Sequence, residues 1–250
     1  MKTARRIAAI AFALCAGAAA AADGPAYVPV EGGLFRTALP NGADKVTVDP
    51  YQLRRLPVTR AEFAAFLETH PEWRRDKVAR VFAGASYLAG FDSKETPASA
   101  PVTGVSWYAA RAYCESEGAR LPNWYEWEFA AAADATRRDA RDDAAWREQI
   151  LSWYATPNSG GLGPVGSKAP NAWGVQDMHG LIWEWVDDFN GLFVTVDSRN
   201  QGEDKMLETC GAAALSLGDR ENYAVLMRIA LLASLDARDT VSSMGFRCAK

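Results

Sequence analysis

Histidine is scarce in this sequence, and long apolar runs are missing beyond its first residues. His70 and His179 are the two histidines among 250 residues. No serine–histidine–carboxylate set, phosphate-cradling glycine loop or zinc-spaced Cys/His group can be found. After residue 22, no segment approaches the ~20 consecutive apolar residues that a transmembrane helix needs. These absences argue against hydrolytic chemistry and against stable membrane insertion.

The first 22 residues have the features of a secretory signal peptide. Three basic residues precede an apolar run over residues 7–14, and an alanine-rich end follows. The apolar run is too short to span a bilayer. We therefore expect a signal peptide over residues 1–22, one domain over residues 23–250, and a periplasmic or secreted protein.

The charge balance is acidic. The whole sequence has 27 basic and 31 acidic residues, and removal of the three basic residues of the predicted signal peptide leaves 24 against 31, a net charge of −7. An acidic surface is repelled by nucleic acid and by anionic lipid. We expect neither as a partner. Nine Trp, eight Tyr and ten Phe supply ample core material for a domain of this length.

Few cysteines follow the predicted signal peptide. They are Cys114, Cys210 and Cys248. In an oxidising compartment, two of the three are expected to form a disulfide, which leaves one thiol over.

Capping signals predict the helices of the first half. A capping box, in which an N-cap side chain and a glutamate three residues later satisfy each other's backbone amides, is predicted at Thr59 and at Asn123. Ser106 is also an expected N-cap, and the helix after it would turn Cys114 towards the core.

Three further segments have weaker patterns. Residues 72–105 show little periodicity, which predicts a loop lying over the domain. Residues 137–147 alternate in charge, which favours a solvated helix face. Residues 222–235 are apolar enough for a buried helix.

The segment His-Gly-Leu-Ile-Trp-Glu-Trp, residues 179–185, places a glutamate between two tryptophans. In an extended strand, Trp183 and Trp185 would face one way and Glu184 the other. A glutamate in that position is rarely a surface residue without a role, so Glu184 is a candidate functional residue.

Several short motifs occur in an order that is more specific than any one of them. They are Pro57-Val58-Thr59, Pro101-Val102, Val105-Ser106-Trp107, Ala112-Tyr113-Cys114, Arg120-Leu121-Pro122, Glu126-Trp127-Glu128, Gly180 to Trp185, and Gly245-Phe246-Arg247-Cys248. The series resembles the formylglycine-generating enzyme, or sulfatase-modifying factor, family over nearly the whole chain after residue 26. The resemblance implies a single α+β domain of C-type-lectin-like type with much irregular loop structure.

The resemblance also implies a chemistry. Enzymes of this family hold Cu(I) with two cysteines of their last segment, activate O2, and oxidise a cysteine of a client polypeptide to formylglycine. Thiolates suit Cu(I) because the ion is soft. The family's core disulfide would fall on Cys114 and Cys248, which leaves Cys210 without a second thiolate. Copper chemistry is thereby weakened.

A calcium site is the second metal that the resemblance implies, with oxygen ligands near residues 179–185. Leu181 stands where the family usually has an asparagine ligand, so one expected calcium ligand is missing. Two alternatives stay open for Glu184. Either it contributes to a metal site, or it accepts hydrogen bonds from buried backbone amides.

Cys210 is the candidate catalytic residue and copper ligand if oxidase chemistry is retained. His179 could complete such a site, although a histidine beside a glycine is more often structural. The methionines are better explained as core residues. The segment around His179 also resembles a secreted bacterial offshoot of the family that is encoded beside copper nitrite reductases.

Three functions are compatible with these patterns. The first is an accessory or maturation factor that lacks the two-cysteine copper oxidase centre and binds a client polypeptide or copper. The second is a copper-dependent oxidase of a client cysteine with Cys210 as an essential ligand. The third is a lectin-like binding module. One scaffold hosts many functions, so the fold cannot decide among them.

Overall fold

A computed structural model describes residues 26–39, 45–155, 161–191 and 223–250. Cys210 and the predicted signal peptide lie outside the described residues, so the predictions made for them stay predictions. None of the described helices is both long and apolar enough to cross a membrane.

The described strands are short and form three separate pairs. Strands β1 (Tyr27–Val30) and β4 (Tyr51–Arg54) are antiparallel, as are β2 (Gly33–Arg36) and β3 (Lys45–Val48). The third pair, β5 (Trp183–Glu184) and β6 (Met244–Gly245), is parallel and joins two distant parts of the chain.

Five helices occur in the described part of the chain. They are α1 (Arg60–Thr69), α2 (Trp107–Ser116), α3 (Trp124–Ala131), α4 (Ala144–Ala155) and α5 (Tyr223–Ala233). Short helices, short strands and long irregular connections together make the predicted α+β class. Helix α5 falls in the segment for which a buried helix was predicted, and α4 packs against it.

The predicted helix starts are confirmed. Thr59 and Asn123 each accept a hydrogen bond from the backbone of the glutamate three residues later, and that glutamate bonds back to the N-cap amide. Ser106 accepts from the Ala109 amide, and Cys114 lies fully buried on the same helix. The first amide of α3 also donates to the carboxylate of Asp188, at 2.7 Å.

The prediction of a solvated helix face over residues 137–147 is wrong about the helix for residues 137–143 and wrong about the exposure of Arg141, whereas Arg137, Arg138, Asp139 and Asp142 are exposed as predicted. Helix α4 begins only at Ala144, and Arg141 before it is 4 % exposed. Its guanidinium lies 4.1 Å from the ring centroid of Phe35, donates to both carboxylate oxygens of Asp139, and stands 3.7 Å from Glu128. Arg141 can be buried because these partners compensate its charge. No sequence pattern indicates that these residues come together.

The C-terminal segment closes the fold. Cys248 is bonded to Cys114 of helix α2, the pair that the resemblance implied, and both residues are fully buried. The Cys248 carbonyl accepts from the Arg54 amide of β4, and Ala249 exchanges two backbone hydrogen bonds with Arg120. Cys248 and Ala249 therefore connect β4, α2 and the segment that leads into α3.

Candidate functional site

The centre of the candidate site is a buried ion pair between β5 and β6. Glu184 and Arg247 are both fully buried, and the two Glu184 oxygens accept from Arg247 at 2.8 and 2.9 Å. One of these oxygens also accepts from the indole nitrogen of Trp127 at 2.8 Å. Arg247 further donates to the carbonyls of Arg54, Arg55 and Gln176. The pair is thus well satisfied, as a buried charge requires.

A second buried cation lies beside this pair. The Arg228 guanidinium lies 3.5 Å from the ring centroid of Trp127 and donates to the Glu184 carbonyl. Burial lowers the pKa of Arg228 to about 10. Its Nε is buried and has no hydrogen-bond partner among the described residues. Glu184 therefore accepts from two guanidiniums, from Arg247 through its carboxylate and from Arg228 through its backbone carbonyl.

His179 is enclosed by aromatic rings. Trp127, Trp146, Trp153 and Tyr154 surround it at ring-centroid distances of 5.8 to 6.4 Å. Its Nε2 lies 2.8 Å from the Ala131 carbonyl and must donate to it, because a carbonyl only accepts. Nδ1 is then the acceptor, 3.3 Å from the Tyr154 hydroxyl.

Burial keeps this imidazole neutral. It lowers the pKa of His179 to about 4, and the neighbouring Arg228 and Lys168 act in the same direction. Burial likewise raises the pKa of Tyr154 to about 12. At neutral pH, His179 and Tyr154 are therefore an uncharged hydrogen-bonded pair, which suits a structural or binding role better than proton abstraction.

An open groove of about 730 Å³ leads to His179. Helix α4 supplies Trp146 and Trp153 to its wall, and Lys168 also lines it. The Lys168 ammonium donates to the His179 carbonyl at 2.7 Å and lies 3.8 Å from the ring centroid of Trp153. Burial lowers its pKa. The groove is thus lined by two tryptophans and by buried His179, together with charged side chains, namely Asp134, Arg137, Asp143, Lys168 and Asp177.

Glu184 does not fit a calcium site in this arrangement. Calcium requires six to eight oxygen ligands, whereas both Glu184 oxygens already accept from Arg247 and Trp127. Neither earlier alternative describes Glu184 fully, because its partners are side chains and not backbone amides. The calcium prediction, already weakened by Leu181, stays a prediction.

His179 fits a copper site poorly as well. One ring nitrogen is bonded to the Ala131 carbonyl and the other faces the Tyr154 hydroxyl, so a metal would have to displace one of them. Across the described ranges, no three His, Cys, Asp or Glu side chains are grouped closely enough to hold a metal ion. Cys210, the third predicted ligand, lies outside those ranges.

Comparison with known proteins identifies the family. A family model described as the sulfatase-modifying factor enzyme 1-like domain matches residues 12–250. The chain belongs to the sulfatase-modifying factor family. The match begins inside the predicted signal peptide and covers every element described above.

Relatives within the sulfatase-modifying factor family carry different names. A formylglycine-generating enzyme of Streptomyces coelicolor is 33 % identical over 168 residues, which cover 60 % of this chain and 52 % of that protein. The chain thus spans about half the length of that relative. A mouse protein named inactive C-alpha-formylglycine-generating enzyme 2 is 29 % identical over 216 residues, covering 66 % of this chain and 69 % of its own.

A solved structure, that of CarF, also resembles this chain. It has a TM-score of 0.49 and 19 % sequence identity, and the alignment covers 90 % of this chain and 97 % of CarF. The family match and the observed elements are what establish the single α+β domain of sulfatase-modifying factor type.

Several residues of the site were not predicted from the sequence. Arg228 carried a signal, because a single arginine in an otherwise apolar helix indicates a buried, paired charge. Arg247 belongs to a recognised motif, but nothing local predicts its pairing with Glu184. Trp153, Tyr154 and Lys168 gave no signal, since only the packing of α4 brings them to His179.

Proposed function

We propose that this chain is a periplasmic or secreted member of the sulfatase-modifying factor family that binds a client polypeptide as an accessory or maturation factor. In this proposal it lacks the two-thiolate copper centre and does not oxidise its client. The proposed location follows from the predicted signal peptide alone. Association with copper nitrite reductases stays a prediction.

The cysteine inventory carries the proposal. The sequence contains four cysteines, of which Cys15 belongs to the predicted signal peptide. Cys114 and Cys248 are joined by a disulfide in the core, with no exposed surface. Cys210 is then the single thiol after residue 22. One chain with one thiol cannot supply two thiolates to Cu(I).

No other described donor replaces the missing thiolate. His179 uses Nε2 to hold the Ala131 carbonyl, and its Nδ1 is covered by Tyr154. Glu184 is neutralised by Arg247. The most polar part of the candidate site is therefore occupied by contacts within the protein. What remains open to a partner is the groove beside Trp146 and Trp153.

The relatives are compatible with this proposal. Proteins named formylglycine-generating enzyme occur among them, which supports a polypeptide as the partner class. The mouse relative, named as inactive, supports the existence of members without the oxidase activity.

The first experiment counts thiols and tests copper binding on the purified chain over residues 23–250. Alkylation of the unreduced, denatured protein followed by mass spectrometry should label one cysteine, Cys210. Competitive titration with Cu(I) should show no tight site, and Cys210→Ser should behave as the wild type. Labelling of all three cysteines, or tight Cu(I) binding that Cys210→Ser abolishes, would overturn the proposal in favour of the oxidase.

The second experiment tests turnover directly. A cysteine-containing client peptide is incubated with the protein, Cu(I), O2 and a thiol reductant, with the Streptomyces coelicolor relative as positive control. We expect the mass change of formylglycine formation with the control enzyme and not with this chain. Its appearance with this chain would refute the proposal. Binding to glycans in place of polypeptides would support the lectin-like alternative instead.

A further inference from the structure

An exposed basic loop follows helix α1. We define the basic loop as residues 72–82, which contain four cations and two carboxylates. The cations are Arg74, Arg75, Lys77 and Arg80, and all of them are exposed. The loop thus has a net charge of +2 on a chain whose own net charge is −4. Its sign is opposite to that of the molecule around it.

The cations of the basic loop are not neutralised within the described structure. None of the four forms a salt bridge with a described carboxylate. Arg74 donates through Nε to the Leu67 carbonyl, which leaves its charge uncompensated. Elsewhere Arg54, Arg120, Arg137 and Arg141 each have at least one carboxylate partner. The positive charges of the basic loop are therefore available to interact with a partner.

The same loop ends in exposed apolar side chains. Val81 is 65 % exposed and Phe82 is 42 % exposed, and they are two of the four large hydrophobic residues exposed in the described ranges. Phe82 belongs to an aromatic row, defined as Trp73, Phe82, Tyr108 and Trp107. Successive ring centroids in the row are 5.3 to 5.9 Å apart.

A concave surface adjoins the aromatic row. It encloses about 350 Å³ between the basic loop, helix α2 and the segment after helix α5. Val81, Tyr108, Phe189 and Leu235 supply apolar lining, and Asp236 and Arg238 supply one charge of each sign, so the excess of positive charge lies on the basic loop. The concavity is shallow and open to solvent, with room for a side chain of a partner.

The surface is held in place before any partner arrives. The Trp73 carbonyl accepts from the Tyr87 hydroxyl at 3.0 Å, and the Gly84 amide donates to the Arg238 carbonyl at 2.8 Å. The first bond fixes the basic loop to Tyr87, and the second fixes Gly84, just after the loop, to the segment that carries Leu235 and Arg238. A pre-organised surface loses less conformational freedom on binding, so even a small contact area can be effective.

We propose that the basic loop and the aromatic row form a docking surface for an acidic segment of the client polypeptide. Carboxylates of the segment face the four unpaired cations, and an apolar side chain enters the pocket beside Val81 and Tyr108. An anionic bilayer fits less well, because the pocket is concave and the rest of the chain is acidic. This inference rests on the proposed client-binding function and names the chemistry of the client.

The test uses fluorescence anisotropy with a labelled peptide of Asp, Glu and Phe residues and the chain over residues 23–250. Arg75→Glu/Lys77→Glu should weaken binding about tenfold, since charge reversal at exposed sites repels an acidic partner. The matched control Lys45→Glu/Lys94→Glu makes the same charge change at two exposed lysines elsewhere. It should leave the affinity within about twofold. The loss should shrink at high salt.

Apolar recognition is tested in the same assay. Val81→Ser should weaken binding of the Phe-containing peptide and leave a peptide of Asp, Glu and Ser unaffected. Leu34→Ser, at a residue that is 68 % exposed and outside the surface, is the control. Circular dichroism verifies that each variant is folded.

Two outcomes would overturn the docking surface. One is unchanged or absent binding of the acidic peptides across wild type and variants. The other is binding to phosphatidylserine vesicles that the charge-reversal variant abolishes, with none to the peptides. Neither outcome affects the results of the copper-binding and turnover experiments. Failure of the docking surface is therefore distinguishable from failure of the proposed function.

Discussion

At the scale of single residues, the pair of Glu184 and Arg247 dominates the electrostatics of the core. Both side chains are fully buried, and every described contact of the Glu184 carboxylate is a hydrogen-bond donor from Arg247 or Trp127. Removing one member leaves the other charge buried without compensation, which costs more free energy than the intact pair contributes.

We therefore expect Glu184→Gln to lower the free energy of unfolding by about 3 kcal/mol. Urea denaturation at pH 7 measures this change. Glu31→Gln is the matched control, because the ion pair of Glu31 with Arg138 is solvent-exposed and such pairs contribute about 0.5 kcal/mol. A loss for Glu184→Gln no larger than that of the control would contradict the assigned role of the buried pair.

His179 gives a prediction about pH. Burial lowers its pKa to about 4 from an ordinary value of 6.5, so the unfolded chain takes up the proton first as the pH falls. The stability associated with neutral His179 is complete above pH 6.5 and is lost towards pH 4, at a rate of at most about 1.4 kcal/mol per pH unit.

His179→Gln removes this titration. The variant should be less stable than the wild type at pH 7, and the difference should narrow between pH 6.5 and pH 5. Urea denaturation of both proteins across that range provides the measurement. If the difference in unfolding free energy between the two proteins stays constant with pH, the titration of His179 does not cause the loss of wild-type stability at low pH.

At the scale of elements, the parallel pair of β5 and β6 brings the site together. The pairing requires Gly245, because a Cβ there would lie 2.3 Å from the Val102 carbonyl oxygen and 2.7 Å from the Ile182 side chain. Neither neighbour can yield easily, since one is backbone and the other is buried. The glycine of the Gly-Phe-Arg-Cys motif is thus explained by close approach of three segments.

Gly245→Ala should therefore destabilise the protein by about 3 kcal/mol or displace β6, which carries Arg247 towards Glu184. Thermal unfolding followed by circular dichroism measures the effect. Gly163→Ala is the matched control, since no atom lies within 4 Å of its added Cβ. If Gly245→Ala and Gly163→Ala have equal melting temperatures, the close approach at Gly245 is not required.

At the scale of the whole molecule, the disulfide between Cys114 and Cys248 links residues 134 positions apart in sequence. It closes a loop that contains α3, α4, β5, α5 and β6, so the unfolded chain loses much of its conformational freedom. The cross-link thereby stabilises the fold chiefly by raising the free energy of the unfolded state.

The double variant Cys114→Ala/Cys248→Ala should have a free energy of unfolding lower by about 2–5 kcal/mol. Urea denaturation with and without a thiol reductant tests this expectation. Reductant should destabilise the wild type and leave the double variant unchanged. An equal response of both proteins would show that the bond does not carry this stability.

The sequence alone determined the features that depend on neighbouring residues. Helix starts at Thr59, Ser106 and Asn123 were predictable because N-capping involves residues within one turn of each other. The order of short motifs identified the family because those motifs extend along nearly the whole chain. The family in turn implied the α+β class and the cysteine pair.

Tertiary structure alone decided which distant side chains meet. Glu184 and Arg247 are 63 residues apart, and His179 lies against the Ala131 carbonyl, 48 residues away. Pairing at such distances depends on how segments pack and not on local conformational preference. For the same reason Arg141 is buried and Arg75 is exposed, although both lie in segments of mixed charge. Packing places Phe35, Asp139 and Glu128 around the Arg141 guanidinium. No described carboxylate forms a salt bridge with Arg75.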